Sequence, residues 1–234
     1  MVLLKRRNYH NVKGDIKLNQ VFSKLAYSKH RGKDLKKYNT DYKFHPSLST
    51  REHAVFTHPS KHRAVIAYRG TDMADKKRWH KDVRSDFLIA TGMQNLDPRH
   101  RQAHRHLQKV KTTLKGYNID VTGHSLGGSV ANYVTKKNPD VVKKSIAFSR
   151  GTGPMELLQK KSNRTIDVSN KYDPISMFAR LQGGKQYVNK NKSKSWGVSG
   201  LLNHNIEATT RNQNLGSQHK IMTPSGHAST VSVM

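Results

Sequence analysis

The chain has no cysteine. That excludes disulfides, thiolate nucleophiles and cysteine metal sites, and leaves any covalent catalysis to hydroxyl, carboxylate, imidazole or amine groups. Acidic residues are scarce as well. Only 15 Asp and Glu stand against 43 Lys and Arg, giving a formal charge of +28 with the 14 histidines counted as neutral. This excess goes beyond what solubility needs and creates a field that draws polyanions: nucleic acid, an anionic bilayer surface or an acidic partner protein. Long apolar runs are missing, since no stretch approaches the ~20 residues of a membrane span. The N-terminus, Met1-Val2-Leu3-Leu4-Lys5-Arg6-Arg7, puts its few apolar residues before its charges, the reverse of a signal peptide. The expectation is a soluble chain without a cleaved leader, intracellular or carried in a virus particle.

At 234 residues the length fits one domain with a central sheet. No internal repeat is present. Biased stretches are all basic, at residues 29–37, 76–84 and 185–194, and read as surface loops or faces. The first ~50 residues are polar, with one helix expected where Val21, Phe22, Leu25 and Ala26 recur at helical spacing. Ala54-Val55-Phe56 and Ala64-Val65-Ile66-Ala67-Tyr68 read as consecutive strands around Pro59-Ser60-Lys61. Asp97-Pro98 has the form of a helix start, Asp as cap and Pro at the first position. Ala103, Leu107, Val110 and Leu114 supply the buried stripe, and Gly116 ends it. Further strands are expected at residues 119–122, 145–148 and 165–168, with a helix from Leu126 to about Asn138. Strands alternating with helices predict an α/β fold, a mostly parallel sheet with helices on both faces.

Gly123-His124-Ser125-Leu126-Gly127 stands between an apolar strand and a small-residue helix. A bare Gly-x-Ser-x-Gly arises by chance in roughly one chain of this length in ten. The strand-turn-helix setting is what makes it informative. A sharp turn strains the serine backbone and lifts its hydroxyl over the sheet edge, the flanking glycines relieve crowding, and the first helical N–H groups face the place where an oxyanion would form. A phosphate-binding turn would want Lys then Ser or Thr after the last glycine, where Ser129 and Val130 stand.

Here the sequence resembles the class 3, or fungal lipase-like, lipases of the α/β-hydrolase superfamily over roughly residues 20–210. The matching segments are Val65-Ile66-Ala67-Tyr68-Arg69-Gly70-Thr71, Trp79-His80-Lys81-Asp82-Val83, Val121 to Gly128, and Val168-Ser169-Asn170-Lys171-Tyr172-Asp173-Pro174-Ile175, in that order. The resemblance implies an α/β-hydrolase fold, ester hydrolysis without metal or organic cofactor, and oxyanion donors at Thr71 and Leu126. It also implies a mobile helix over the site at residues 73–84. In this chain Trp79 and Val83 form a short apolar stripe there among Lys76, Lys77, Arg78, Lys81 and Arg84, a pattern suited to anionic lipid.

Acyl transfer by serine needs an imidazole backed by a carboxylate, and this fold orders them Ser, acid, His along the chain. Of the five acids after Ser125, Asp173 alone follows a strand in a polar turn. Asp167 is the alternative, within an apolar run where it would face solvent. His204, His219 and His227 are the candidate bases. His204 resembles the family's terminal histidine, whereas His219 lies in a polar stretch and His227 in a tail read as flexible. His100 and His104 have metal-like spacing on a helix but no third ligand, so a solvated face is expected. His124 is expected to pack on neighbouring strands, away from the hydroxyl's partners. The reading is a serine esterase or lipase with Ser125, His204 and Asp173 as its triad, acting on acylglycerols or phospholipids. The second hypothesis is a retired hydrolase scaffold that binds nucleic acid through its basic surface. The sequence is silent on oligomeric state.

Overall fold

The computed structural model describes the backbone of residues 2–70, 96–153, 156, 158–189, 204, 206, 218–222 and 228–233, and side chains at 12, 14–70, 98–153, 156, 158–189, 204 and 206. Its helices are α1 (Val2–Leu25), α2 (Arg31–Leu35), α3 (Leu96–Thr113), α4 (Leu126–Lys137) and α5 (Met177–Leu181). The strands are β1 (Lys43–Phe44), β2 (His53–His58), β3 (Arg63–Tyr68), β4 (Asn118–His124), β5 (Val142–Phe148), β6 (Thr165–Asn170), β7 (Lys185–Asn189), β8 (Gln218–Met222) and β9 (Ala228–Val233). They form one sheet in the order β1-β2-β3-β4-β5-β6-β7-β9-β8. The run β3 to β7 and the β7–β9 pair are parallel, whereas β1–β2, β2–β3 and β8–β9 are antiparallel.

Strand alternation assigns each face of the sheet its own helices. On β3, Ala64, Ile66 and Tyr68 point to one side, where α3 contributes Ala103, Leu107 and Val110 and α4 contributes Val130, Ala131 and Val134. Val65 and Ala67 point to the other, against Phe22 and Leu25 of α1 and Ala26 just after it. Phe22 stacks on Phe56 of β2 with ring centroids 4.5 Å apart. A hydrogen-bond chain also fixes α1 across the sheet: Ser23 Oγ donates to Thr122 Oγ1 over 2.8 Å, and that hydroxyl donates to the Ile146 carbonyl over 2.7 Å. A third apolar cluster joins Ile16 of α1 to Ile146, Phe148, Ile166, Val168 and Tyr187, with Ile206 closing it. This is the expected α/β architecture, a mostly parallel sheet with helices on both faces.

Several details differ from the sequence reading. Residues 185–189 of the last basic stretch are strand β7, because Gln186, Tyr187, Val188 and Asn189 are buried beside β6 and only Lys185 is exposed. The segment from 218 onward, read as a polar stretch and a flexible tail, holds the β8–β9 hairpin that completes the sheet edge. Part of 29–37 is helix α2, and α1 starts as early as Val2. Helix α3 starts at Leu96, one residue before the expected cap, and ends before Gly116 at φ 81°. The expected solvated face is only half so, since His100 stacks on Tyr133 of α4 at 4.0 Å and both His100 and His104 are half-buried. No group of three or more His, Asp or Glu suited to a metal occurs among the described residues. No helix among them is long and apolar enough to cross a membrane.

His53 and His106 lie with ring centroids 4.3 Å apart where β2 meets α3, both buried. Burial, then the neighbouring His106, Arg99 and Arg31, pushes the His53 pKa down to about 3. Unfolded, the same imidazole titrates near 6.5. The unfolded chain therefore binds the extra proton between those values. This part of the stability is complete above about pH 6.5 and is lost as pH falls toward 3, at up to roughly 1.4 kcal/mol per pH unit. Urea denaturation at pH 7.5 and 5 is expected to show that decline, and His53→Asn is expected to make it shallower by about one proton's worth.

Candidate active site

Because β4, β5 and β6 run parallel, the turns at their C-terminal ends gather along one edge of the sheet. Ser125 follows β4 directly and is the residue before α4, with φ 59° and ψ −124°. A non-glycine residue held there costs on the order of 1–3 kcal/mol and persists only when its surroundings impose it. Two backbone approaches impose it here. A Cβ on Gly123 would lie 2.3 Å from the Gly127 carbonyl, and one on Gly127 would lie 2.1 Å from the Tyr68 carbonyl. The glycines of the motif are thus required by contact, and the turn is wedged against the end of β3. Gly70 shares that wedge, since a Cβ there would meet the Tyr27 hydroxyl at 2.4 Å and the His124 carbonyl at 2.6 Å. Tyr27 Oη accepts the Gly70 N–H over 3.0 Å, tying the exit of β3 to the end of α1.

The Ser125 hydroxyl is enclosed, with the residue 2% exposed, and it has no hydrogen-bond partner among the described residues. The turn has the expected strain, and its oxygen is covered. An unpaired buried hydroxyl costs about 1–3 kcal/mol. Ser125 N–H donates to the Phe148 carbonyl over 2.9 Å, so β5 anchors the turn from its other side. Leu126 is the first residue of α4, where N–H groups lack intrahelical partners.

Asp173 lies past the end of β6 and is fully buried. Its Oδ1 accepts the Ile175 N–H over 3.0 Å, and its Oδ2 accepts Nδ1–H of His204, also over 3.0 Å. Burial alone would raise its pKa. The His204 imidazole, the hydrogen bond from it and the Ser176 and Ser149 hydroxyls outweigh that and hold it below the ordinary carboxylate value. Arg180 of α5 shapes the loop by donating to the carbonyls of Asn170, Lys171 and Asp173 and to the Ser176 hydroxyl. His204, 1% exposed, is held from two sides. Gln20 of α1 donates to the Ile206 carbonyl over 3.0 Å, and Ile206 enters the core. Nε2 of His124 donates to the His204 carbonyl over 2.6 Å.

That last bond overturns the expectation for His124. Its ring lies 4.9 Å from that of His204, on the side of the candidate base and not turned away from it. A carbonyl only accepts, so Nε2 carries the proton. Burial, then the charge of His204, pushes the His124 pKa down to about 3, against weaker raising effects of the carbonyl and Asp173. Adjacency to Ser125 was the only sequence signal for His124, and nothing local marked Tyr27 or Arg180.

Asp167, expected to face solvent, is 2% exposed. It meets Arg150 Nε at 3.0 Å and Lys161 Nζ at 2.9 Å, and Arg150 reaches on to Glu156 at 2.9 Å and Gln182 at 2.6 Å. Burial raises its pKa, but Arg150 and Lys161 reverse this, so it stays an anion below the usual range. It belongs to an internal ion cluster with Arg150 and Lys161, whereas the carboxylate bonded to His204 is that of Asp173. Thr71, residues 73–84 with Trp79 and Val83, and His227 lie outside the described residues. His219 is described only as backbone of β8, paired with Val231.

Chemically, the arrangement holds a buried carboxylate on one nitrogen of an imidazole, beside a strained turn carrying a hydroxyl. Gly127→Ala is expected to break the turn's contact with β3. The variant should lose at least 2 kcal/mol in urea denaturation, in line with the cost of overpacking a closed interior.

Solved structures similar to the chain include the Lip2 lipase from Yarrowia lipolytica, at 11% identity and TM-score 0.45 over 71% of this chain and 75% of that one. A lipase from Rhizopus microsporus var. chinensis is similar at 15% identity and TM-score 0.42, over 76% and 67%. The Rhizomucor miehei lipase propeptide complex is similar at 13% identity and TM-score 0.43, over 94% and 71%. No curated protein matches the chain. The profile of the family described as Mbeg1-like matches residues 28–168, more than half of the chain, and the chain belongs to that family.

Proposed function

We propose that the chain is a serine esterase that hydrolyses carboxylic esters of lipids, acylglycerols or phospholipids, through Ser125, His204 and Asp173. The observation that carries this reading is the buried 3.0 Å contact between Asp173 and His204, with His204 also bonded through its carbonyl to the residue before the strained serine. The nine-stranded sheet accounts for the assembly, because it brings the ends of β4 and β6 to one edge.

In the proposed reaction Ser125 Oγ attacks the ester carbonyl carbon while Nε2 of His204 takes its proton. With Nδ1–H donated to Asp173, a neutral imidazole has its basic lone pair on Nε2. Asp173 fixes that tautomer and stabilises the imidazolium as it forms. The tetrahedral adduct collapses, the alcohol leaves with the proton from His204, and water hydrolyses the acyl-enzyme by the same steps. The Leu126 N–H at the start of α4 and a donor from Thr71 would hold the oxyanion, each worth about 3–4 kcal/mol in the transition state. The hydroxyl is covered, so productive binding requires the cover to withdraw and His204 to close on Ser125, a contact that tightens when substrate arrives. The cationic surface would bring the enzyme to anionic interfaces.

The test is p-nitrophenyl ester hydrolysis with short and long acyl chains. Ser125→Ala and His204→Ala are each expected to lower kcat by at least about 10⁴-fold and Asp173→Asn by about 10²–10⁴-fold. His219→Ala and His227→Ala should leave it within about 3-fold, because a removed acid–base catalyst costs 10²-fold or more. Equal turnover by the parent and Ser125→Ala, or no turnover by a folded parent, contradicts the reading and favours a scaffold retired from catalysis.

A further inference from the structure

A second feature lies at the other end of the sheet from the Asp173 loop and shares no residue with the candidate active site. Helix α2, edge strand β1 and the segment between them line an open groove of about 900 Å³. Lysines 33, 36, 37 and 43 line it, and none of the lining residues among the described ones is acidic. The two acids of this segment lie outside the lining, and one of them neutralises Lys37. Asp34 accepts from Ser28 Oγ and from Lys37 Nζ, each at 2.6 Å, and Asp41 faces His58 at 3.7 Å. Arg31 also spends its guanidinium internally, on the carbonyls of Ala26 and Arg51. Lys33, Lys36 and Lys43 are exposed and enter no ion pair among the described residues. Three uncompensated cations therefore ring one concave surface.

The floor of the groove is aromatic and rigid. Phe44 packs on Phe56 with centroids 5.8 Å apart, and Tyr42 sets its edge on Phe22 at 5.0 Å, so both rings are rooted in the core beneath α1. Tyr38 is half-buried beside them. Asn39 and Thr40 add uncharged hydrogen-bonding groups to the lining. Cations along a backbone track, with rings below for bases to rest on, is the pattern that holds single-stranded nucleic acid. A bilayer is the poorer fit, because its surface is flat whereas the lysines stand around a hollow with half-buried rings at its base. We infer that the α2–β1 groove binds a single-stranded segment of RNA or DNA, with phosphates on Lys33, Lys36 and Lys43 and a base against Tyr38 and Phe44.

The test is fluorescence anisotropy with a labelled oligothymidylate of about 20 nucleotides, titrated from about 50 to 200 mM salt. The full chain is compared with Lys33→Glu/Lys36→Glu/Lys43→Glu. A control, Lys109→Glu/Lys111→Glu/Lys115→Glu, makes the same charge change at exposed positions on and just after α3. Groove reversal is expected to weaken binding at least 10-fold more than the control. It should also reduce the salt slope by about 2, at roughly 0.7 per phosphate contact for a single strand. Tyr38→Ala should weaken binding while leaving the salt slope within about 0.5 of the parent, because it removes stacking and no charge. Circular dichroism melts establish that each variant is folded. Equal losses in the two triple variants overturn the inference, as does a folded parent that fails to bind at about 50 mM salt. Phosphatidylserine vesicles whose binding depends on these three lysines, while the oligonucleotide's does not, assign the groove to membranes and overturn it as well.

Discussion

The candidate site depends on how closely the backbone at the end of β4 approaches its surroundings. Gly123 meets Gly127 across the turn, and Gly127 meets the Tyr68 carbonyl at the end of β3, with no room for a methyl group at either position. Residue 125 is left in a conformation that L-amino acids avoid, at φ 59°, because the chain must reverse within that space and enter α4 at once. The strain is borne by the packing of β3, β4 and α4 together. Their shared core of Ile66, Tyr68, Val121, Val130 and Val134 is where burial offsets a local cost of on the order of 1–3 kcal/mol.

The other two members of the site are held by independent means. Asp173 is fixed by its own loop, through the Ile175 N–H and through Arg180, whose guanidinium gathers the loop carbonyls. His204 comes from far along the chain and is fixed by main-chain carbonyls, its own bonded to His124 and that of Ile206 bonded to Gln20. Anchoring the backbone holds the imidazole where Asp173 can accept from its Nδ1–H. The Arg150–Asp167–Lys161 cluster stands apart from this and braces β6 against the segment after β5. Its charges are tolerated in the interior because each has a partner; removing one would strand the others, at about 3–5 kcal/mol.

Much of the fold was readable where one local signal agreed with another. Apolar runs bounded by turn residues marked β2 and β3, and the 103, 107, 110 spacing marked the buried face of α3. Strand β7 was hidden because its lysine count outweighed Gln186 and Asn189, polar residues that the sheet buries and no periodicity announces. The β8–β9 hairpin was hidden for a related reason, since alternating Ser, Thr and Val beside glycine and proline reads equally well as a tail. At the site, the Ser-acid-His order narrowed the candidates, the polar turn after a strand marked Asp173 and the family resemblance marked His204, and those two side chains are in contact. The error over Asp167 shows the limit of such reasoning: whether a carboxylate in an apolar run faces water or two buried cations is decided by residues 150 and 161, and its own neighbours say nothing of it. His124 was misjudged likewise, because its partner lies 80 residues away.

The central claim is that one covered hydroxyl in a strained turn is a nucleophile. Labelling the parent chain with a fluorophosphonate and mapping the adduct by peptide mass spectrometry tests it most directly. A single phosphonyl group on Ser125 is expected, formed faster when a detergent or lipid interface is present. An unlabelled folded chain, or an adduct on any other serine, would contradict it.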